Sequence, residues 1–349
     1  MTKKEHPYQS IARYSRWKQG VADGVRPEEL VAGLRFRGLR DDDRVFSAGS
    51  CFASNIVPYL ERAGIAYVRA EPRPRAIAGL KDGLGYDNFS ARFGNIYTSR
   101  QFLQLLLRCT GRWQPEEDRW RTPDGLVDPF RPGLGYLAES DEEFDALTAS
   151  HLAATKAALE IATVVVFTLG LTEAWQARDG AVFPVCPGTI AGTFDPAKHR
   201  FVNLSTAQIT EDLLEAHRVI AAINPRARFL LTVSPVPLTA TATGKHVAVA
   251  SMESKAVLRA AVAEAQRTDP EVEYFPAYEM LMGWQAPTGS WAPDMRTVTQ
   301  IGLDHVMCTL LAGRRLSAGQ QTPAPTAVER LSRLISDVEC EEAAYGRFA

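Results

Sequence analysis

The segment IATVVVFTLG, Ile161 to Gly170, constrains the fold more than any other stretch of this chain. It is a continuous β-branched run with no polar alternation, too short for a helix of its own. An unbroken apolar run of this kind suits a strand buried on both faces, as in parallel sheets covered by helices on each side. RFLLTVSP (Arg228 to Pro235) has the same character and is stopped by Pro235 and Pro237. RVFSAG (Arg44 to Gly49) is apolar and runs into a serine, while VEYFPAY (Val272 to Tyr278) and IAYV (Ile65 to Val68) are weaker strands. Helical patterns lie between them: Cys51 to Arg62, Leu-rich Ser99 to Arg108, Asp141 to Leu159 with its acidic start, Ser205 to Ile223 with Ser205 as cap, and alanine-rich Ser251 to Arg267. Strands alternating with helices predict βαβ units and an α/β sandwich with a mostly parallel sheet. The stretch from Glu71 to Phe130, rich in Gly, Pro, Arg and Trp, reads as a long loop insertion near the ligand-bearing edge.

Composition narrows the function classes. With 39 Lys+Arg against 41 Asp+Glu among 349 residues, the chain has no broad basic field for nucleic acid or an anionic membrane. The longest apolar run, Ile161 to Leu171, falls well short of the roughly 18 residues of a membrane span. No apolar stretch follows the basic residues of MTKKEHPYQS, so no signal peptide is expected and a cytoplasmic location is. Five scattered cysteines without a CxxC pair argue against disulfides and structural zinc, and six histidines without HExxH or HxH spacing give no sign of a catalytic metal. Neither GxxxxGK[ST] nor GxGxxG between strand and helix is present, so no nucleotide or other cofactor is expected. After Arg315, LSAGQQTPAPT reads as a linker and Ala327 to Tyr345 as a charged helix, packed on the surface or on a neighbour such as a second copy.

In an open parallel sheet, ligands bind beyond the carboxyl ends of the strands. The residues placed there are Gly49-Ser50-Cys51, Gly170-Leu171-Thr172-Glu173, Ser234 with the loop TATATGKH ending at His246, and the segment Trp284 to Thr299 with Asp294. A serine at a strand-to-helix turn has two readings. It can cap the helix, or it can serve as a nucleophile whose oxyanion is met by free N–H groups. Cys51 is a further nucleophile by position. Tyr86, Phe89, Phe93, Tyr97, Trp175 and Trp291 line a pocket or fill the core.

GSCFA at Gly49 to Ala53 resembles the signature of the GSCFA-domain family, a branch of the SGNH/GDSL hydrolase-like fold. GNIYTSRQFLQLL, FTLGLTEAW, CPGT, TVSPVPLTAT, SKAVLRAA and YFPAYEM are similar to further blocks of that family. The resemblance implies a flavodoxin-like three-layer αβα sandwich and an SGNH-like domain over residues 1–315, which leaves the linker and helix at 316–349 outside it. It implies Ser50 as the nucleophile of an acyl-ester hydrolase or O-acyltransferase, with Gly94 and Asn95 in the oxyanion hole and a small-molecule or carbohydrate ester as partner. Thr172 stands where relatives carry an amide donor.

One departure matters. The relatives' pattern Asp-x-x-His-Pro-x-x-x-Gly lines up with Asp294 to Gly302, and the histidine is Thr297, which cannot accept a proton near neutral pH. His246, His199 or His305 could supply the imidazole, with Glu173 and Asp294 as acidic partners, or the chain binds an acylated or glycosylated ligand without cleaving it.

Overall fold

The computed structural model describes residues 6–73, 86, 89–134 and 138–311. Among the described residues, ten strands form in chain order: β1 (Arg44–Gly49), β2 (Ala66–Tyr67), β3 (Trp120–Thr122), β4 (Gly125–Val127), β5 (Val164–Leu169), β6 (Glu173–Gln176), β7 (Val182–Phe183), β8 (Arg200–Asn203), β9 (Arg228–Val233) and β10 (Val272–Phe275). The α-helices are α1 (Cys51–Ser54), α2 (Ile56–Arg62), α3 (Ser99–Cys109), α4 (Asp141–Ile161), α5 (Thr206–Ile223), α6 (Val247–Thr268), α7 (Ala277–Met282) and α8 (Gln300–Leu310).

The central sheet has the order β10-β9-β5-β1-β2, and every pairing in it is parallel. All six residues of β5 are buried, as its unbroken apolar sequence requires of a strand covered on both faces. Phe46, Phe167 and Phe229 face α3, α5 and α6 in one apolar layer. Val45, Val166 and Leu230 face α1, α2, α7 and α8 in the other. The flavodoxin-like three-layer αβα sandwich expected from the sequence is the architecture observed, with a mostly parallel sheet and long insertions.

Two local differences bear on the site. The predicted helix from Cys51 to Arg62 breaks at Asn55 into α1 and α2. Pro58 explains the break: its ring conflicts with the carbonyl four residues back, at Ser54, and it has no N–H to donate. Near the rim, the chain after β5 folds into a small antiparallel sheet, β7-β6-β8, too short to be read from sequence. The predicted linker and charged helix after Arg315 lie outside the described residues.

Candidate functional site

β1 ends in Gly49, whose φ of +153° few side chains adopt. A Cβ there would lie 2.8 Å from Ala53 Cβ, Thr168 Cβ and the Thr168 carbonyl oxygen. Only glycine lets the strand tip turn this close to β5. Ser50 follows, 6% exposed, with its backbone extended. Its hydroxyl does not cap α1, so the capping reading of this serine fails. Its carbonyl accepts the Ala53 N–H at 2.7 Å. Because α1 is a single turn, its N-terminus offers individual amides rather than a long helix dipole.

The loop carrying Gly94 and Asn95 is strapped across this turn. Ile96 N–H donates to the Gly49 carbonyl at 2.8 Å, and the Tyr97 carbonyl accepts from both Gly170 and Leu171 N–H at 2.9 Å. Gly94 takes φ +68°, the left-handed conformation the bend needs. The structure therefore brings Ser50, the Gly94–Asn95 loop and Gly170 to the tips of two adjacent strands, paired in register Gly49 to Thr168.

The other expected residues have different occupations. Thr172 is buried, and its hydroxyl donates to Ser254 Oγ on α6 at 3.1 Å, the same oxygen that accepts the Thr172 N–H. Its donor is spent away from Ser50. Glu173 accepts the Thr241 hydroxyl at 2.7 Å and the Ala242 N–H at 3.2 Å, so its carboxylate clamps the loop after β9. That loop, with Leu171, Trp175, Phe201 and Leu238, walls a mostly apolar cavity of about 170 Å³. Of the aromatic residues considered, Phe89, Phe93 and Tyr97 are core, and Trp175 lines this cavity.

No imidazole hydrogen-bonds Ser50 among the described residues. His246 is exposed and caps α6, its Nδ1 accepting the Ala248 N–H at 3.2 Å. His199 is buried with Nδ1 accepting the Asp195 N–H and Nε2 donating to Glu117 at 2.9 Å, which ties two loops together. His305 is half-buried on α8; burial lowers its pKa, and its Nε2 has no partner among the described residues. Asp294 is exposed and accepts the Thr297 hydroxyl at 2.6 Å and the Thr297 N–H at 2.9 Å. Slight burial pushes the Asp294 carboxyl up, but these bonds and the Arg296 N–H outweigh it and hold the group below the usual carboxylate range. The Asp-x-x-Thr turn is thus formed, with a hydroxyl where the resemblance calls for an imidazole. Burial raises the Cys109 and Cys186 thiols to about 11, which leaves both unreactive near neutral pH.

One rim residue was missed by sequence reasoning. Lys255 is 2% exposed, and its Nζ donates to the Gly170 carbonyl at 2.6 Å. A signal was available: Lys255 lies on the buried stripe of α6, with Ser251, Ser254, Leu258, Ala261 and Val262. A lysine on the apolar stripe of a helix is rarely idle. Among the described residues, no group of His, Cys, Asp and Glu could hold a metal ion, and no helix is long and apolar enough to cross a membrane.

Comparison with known proteins bears on the family. Among solved structures, a GDSL-like lipase from Bacteroides thetaiotaomicron is similar at 12% identity, over 85% of this chain and 96% of that one, with a TM-score of 0.36. A carbohydrate esterase family 2 enzyme with a carbohydrate binding domain, from Corynascus thermopiles, is similar at 12% identity over 77% of this chain and 63% of that one, with a TM-score of 0.27. A search of the curated proteins gives no match. The sequence matches the GSCFA family over residues 44–309 of 349, from the first strand through α8, and the chain belongs to that family.

Proposed function

We propose that the protein is a serine-dependent acyl-ester hydrolase or O-acyltransferase acting on a small-molecule or sugar ester. Ser50 Oγ attacks the acyl carbonyl, the leaving alcohol departs, and water or an acceptor hydroxyl then takes the acyl group from the serine. One observation carries this reading: the Ser50 hydroxyl stands at a strand tip, uncommitted to helix capping, under a loop strapped to its own strand. Gly94 and Asn95 on that loop are the oxyanion donors in this reading, since the loop crosses the turn that holds the serine. Ser50→Ala should abolish turnover of short-chain p-nitrophenyl esters, and a fluorophosphonate probe should label the wild-type chain at Ser50. Full activity in Ser50→Ala defeats the proposal.

The Thr297 hydroxyl on Asp294 favours a second reading, a binding module that recognises an acylated or glycosylated ligand without cleaving it. Measurable ligand binding without fluorophosphonate labelling is the outcome that selects it.

A further inference from the structure

Resting on the serine reading above, we infer that Lys255 is the proton acceptor for Ser50. The hydroxyl needs a base, and the imidazoles are elsewhere. His246, the candidate on the same helix, precedes Lys255 by nine residues, which is about 13 Å along α6 at roughly 1.5 Å per residue. It stands out in solvent beyond the rim while Lys255 reaches the rim itself.

The packing of α6 brings Lys255 to the strand tip next to the serine's. Its Nζ lies 2.6 Å from the carbonyl of Gly170, the first residue past β5. Ser50 is the first residue past β1, and β1 pairs with β5 directly, Gly49 opposite Thr168. Neighbouring strands run about 4.8 Å apart, so the carbonyl that holds the amine and the residue that carries the hydroxyl lie at adjacent strand tips. Ser254, one residue earlier, accepts both donors of Thr172 and fixes the helix against the same turn. Lys255 is 2% exposed, so its amine is held out of bulk solvent at the rim. Serine–lysine pairs perform acyl transfer on unrelated folds.

The step balances. The Nζ lone pair takes the Oγ proton as the Oγ–carbon bond forms and the carbonyl π pair moves onto oxygen. When the tetrahedral species collapses, the ester C–O bond breaks and the ammonium returns that proton to the leaving oxygen. In the second half-reaction the same amine takes the proton of water or of the acceptor hydroxyl.

The test measures p-nitrophenyl ester turnover by the full chain carrying Lys255→Ala or Lys255→Arg. Lys255→Ala should lower kcat by about 10²–10⁴-fold, the usual contribution of a positioned base, with KM little changed. Added ethylamine should restore part of the loss, which a purely structural lysine would not allow. Lys255→Arg keeps a donor for the Gly170 carbonyl but stays protonated and cannot accept a proton, so it should be as impaired as Lys255→Ala. If Lys255→Ala does not fold, Lys255→Arg alone decides. Wild-type kcat in Lys255→Arg overturns the inference. Should it do so while Ser50→Ala is inactive, the serine reading stands and only the base is wrong; an active Ser50→Ala removes both.

Discussion

Replacing Gly49 with alanine tests whether the strand tip holds the serine as described. The new methyl carbon would meet three atoms at 2.8 Å: the Ala53 Cβ, the Thr168 Cβ and the Thr168 carbonyl oxygen. None of these is the free end of a flexible side chain, so backbone must move. The φ of +153° adds strain for any residue with a Cβ. Unfavourable backbone conformations cost about 1–3 kcal/mol and overpacking costs a similar amount, so Gly49→Ala should lose about 2–6 kcal/mol of stability. Urea unfolding followed by circular dichroism measures this directly. The displacement passes to Ser50, the next residue, and an error of about 1 Å in a reacting atom can cost on the order of 100-fold in rate. The fluorophosphonate labelling rate of the folded fraction should therefore fall by at least about tenfold. A stability loss under about 1 kcal/mol with labelling unchanged would show that the tip has room, and the account of Gly49 would be wrong.

Other perturbations test separate parts of the structure. Taken as the acyl pocket of the proposed ester reaction, the 170 Å³ cavity should reward each buried methylene by about 0.8 kcal/mol, so kcat/KM for p-nitrophenyl esters should climb about fourfold per carbon until it fills. Ala240→Trp, at an exposed wall of that cavity, should abolish this climb and leave acetate turnover intact; a chain-length series decides. His151 is buried with Nδ1 at 2.7 Å from Glu71, and burial together with Arg131 lowers its pKa from 6.5 to about 4. Between those values the unfolded chain holds a proton the folded one refuses, so stability is full above pH 6.5 and falls by roughly 3 kcal/mol toward pH 4. Urea midpoints at several pH values should show that slope, and it should flatten in His151→Gln. Asn224 Nδ2 donates to the Leu159, Glu160 and Ala162 carbonyls, and Asn224→Ala should lose about 2–4 kcal/mol in the same assay.

Burial is what the sequence made legible. The β-branched segment at 164–169 advertised a doubly covered strand, and β1, β9 and β10 followed from the same logic. Ser205 carried its own helix start, seen as a reciprocal cap with Gln208. Apolar spacing continues across Asn55 and predicts one helix after Ser50, whereas Pro58 acts on the turn before it and splits that helix in two. The site was legible in position and less so in occupation. Glu173 and Thr172 stand on the rim as expected, but which groups they meet depends on residues 68 and 82 positions away. Short antiparallel strands such as β7, two residues long, carry too little pattern to announce themselves.

The division of labour around the rim has a corollary for substitution. Ser50 hangs from the parallel sheet, whose alignment is locked by the buried core, while the cavity walls come from the accessory β6–β8 sheet and a loop clasped by one carboxylate. Substitutions in that clasp and in those outer strands can therefore reshape the cavity while the turn at Gly49 and Ser50 stays fixed by the core.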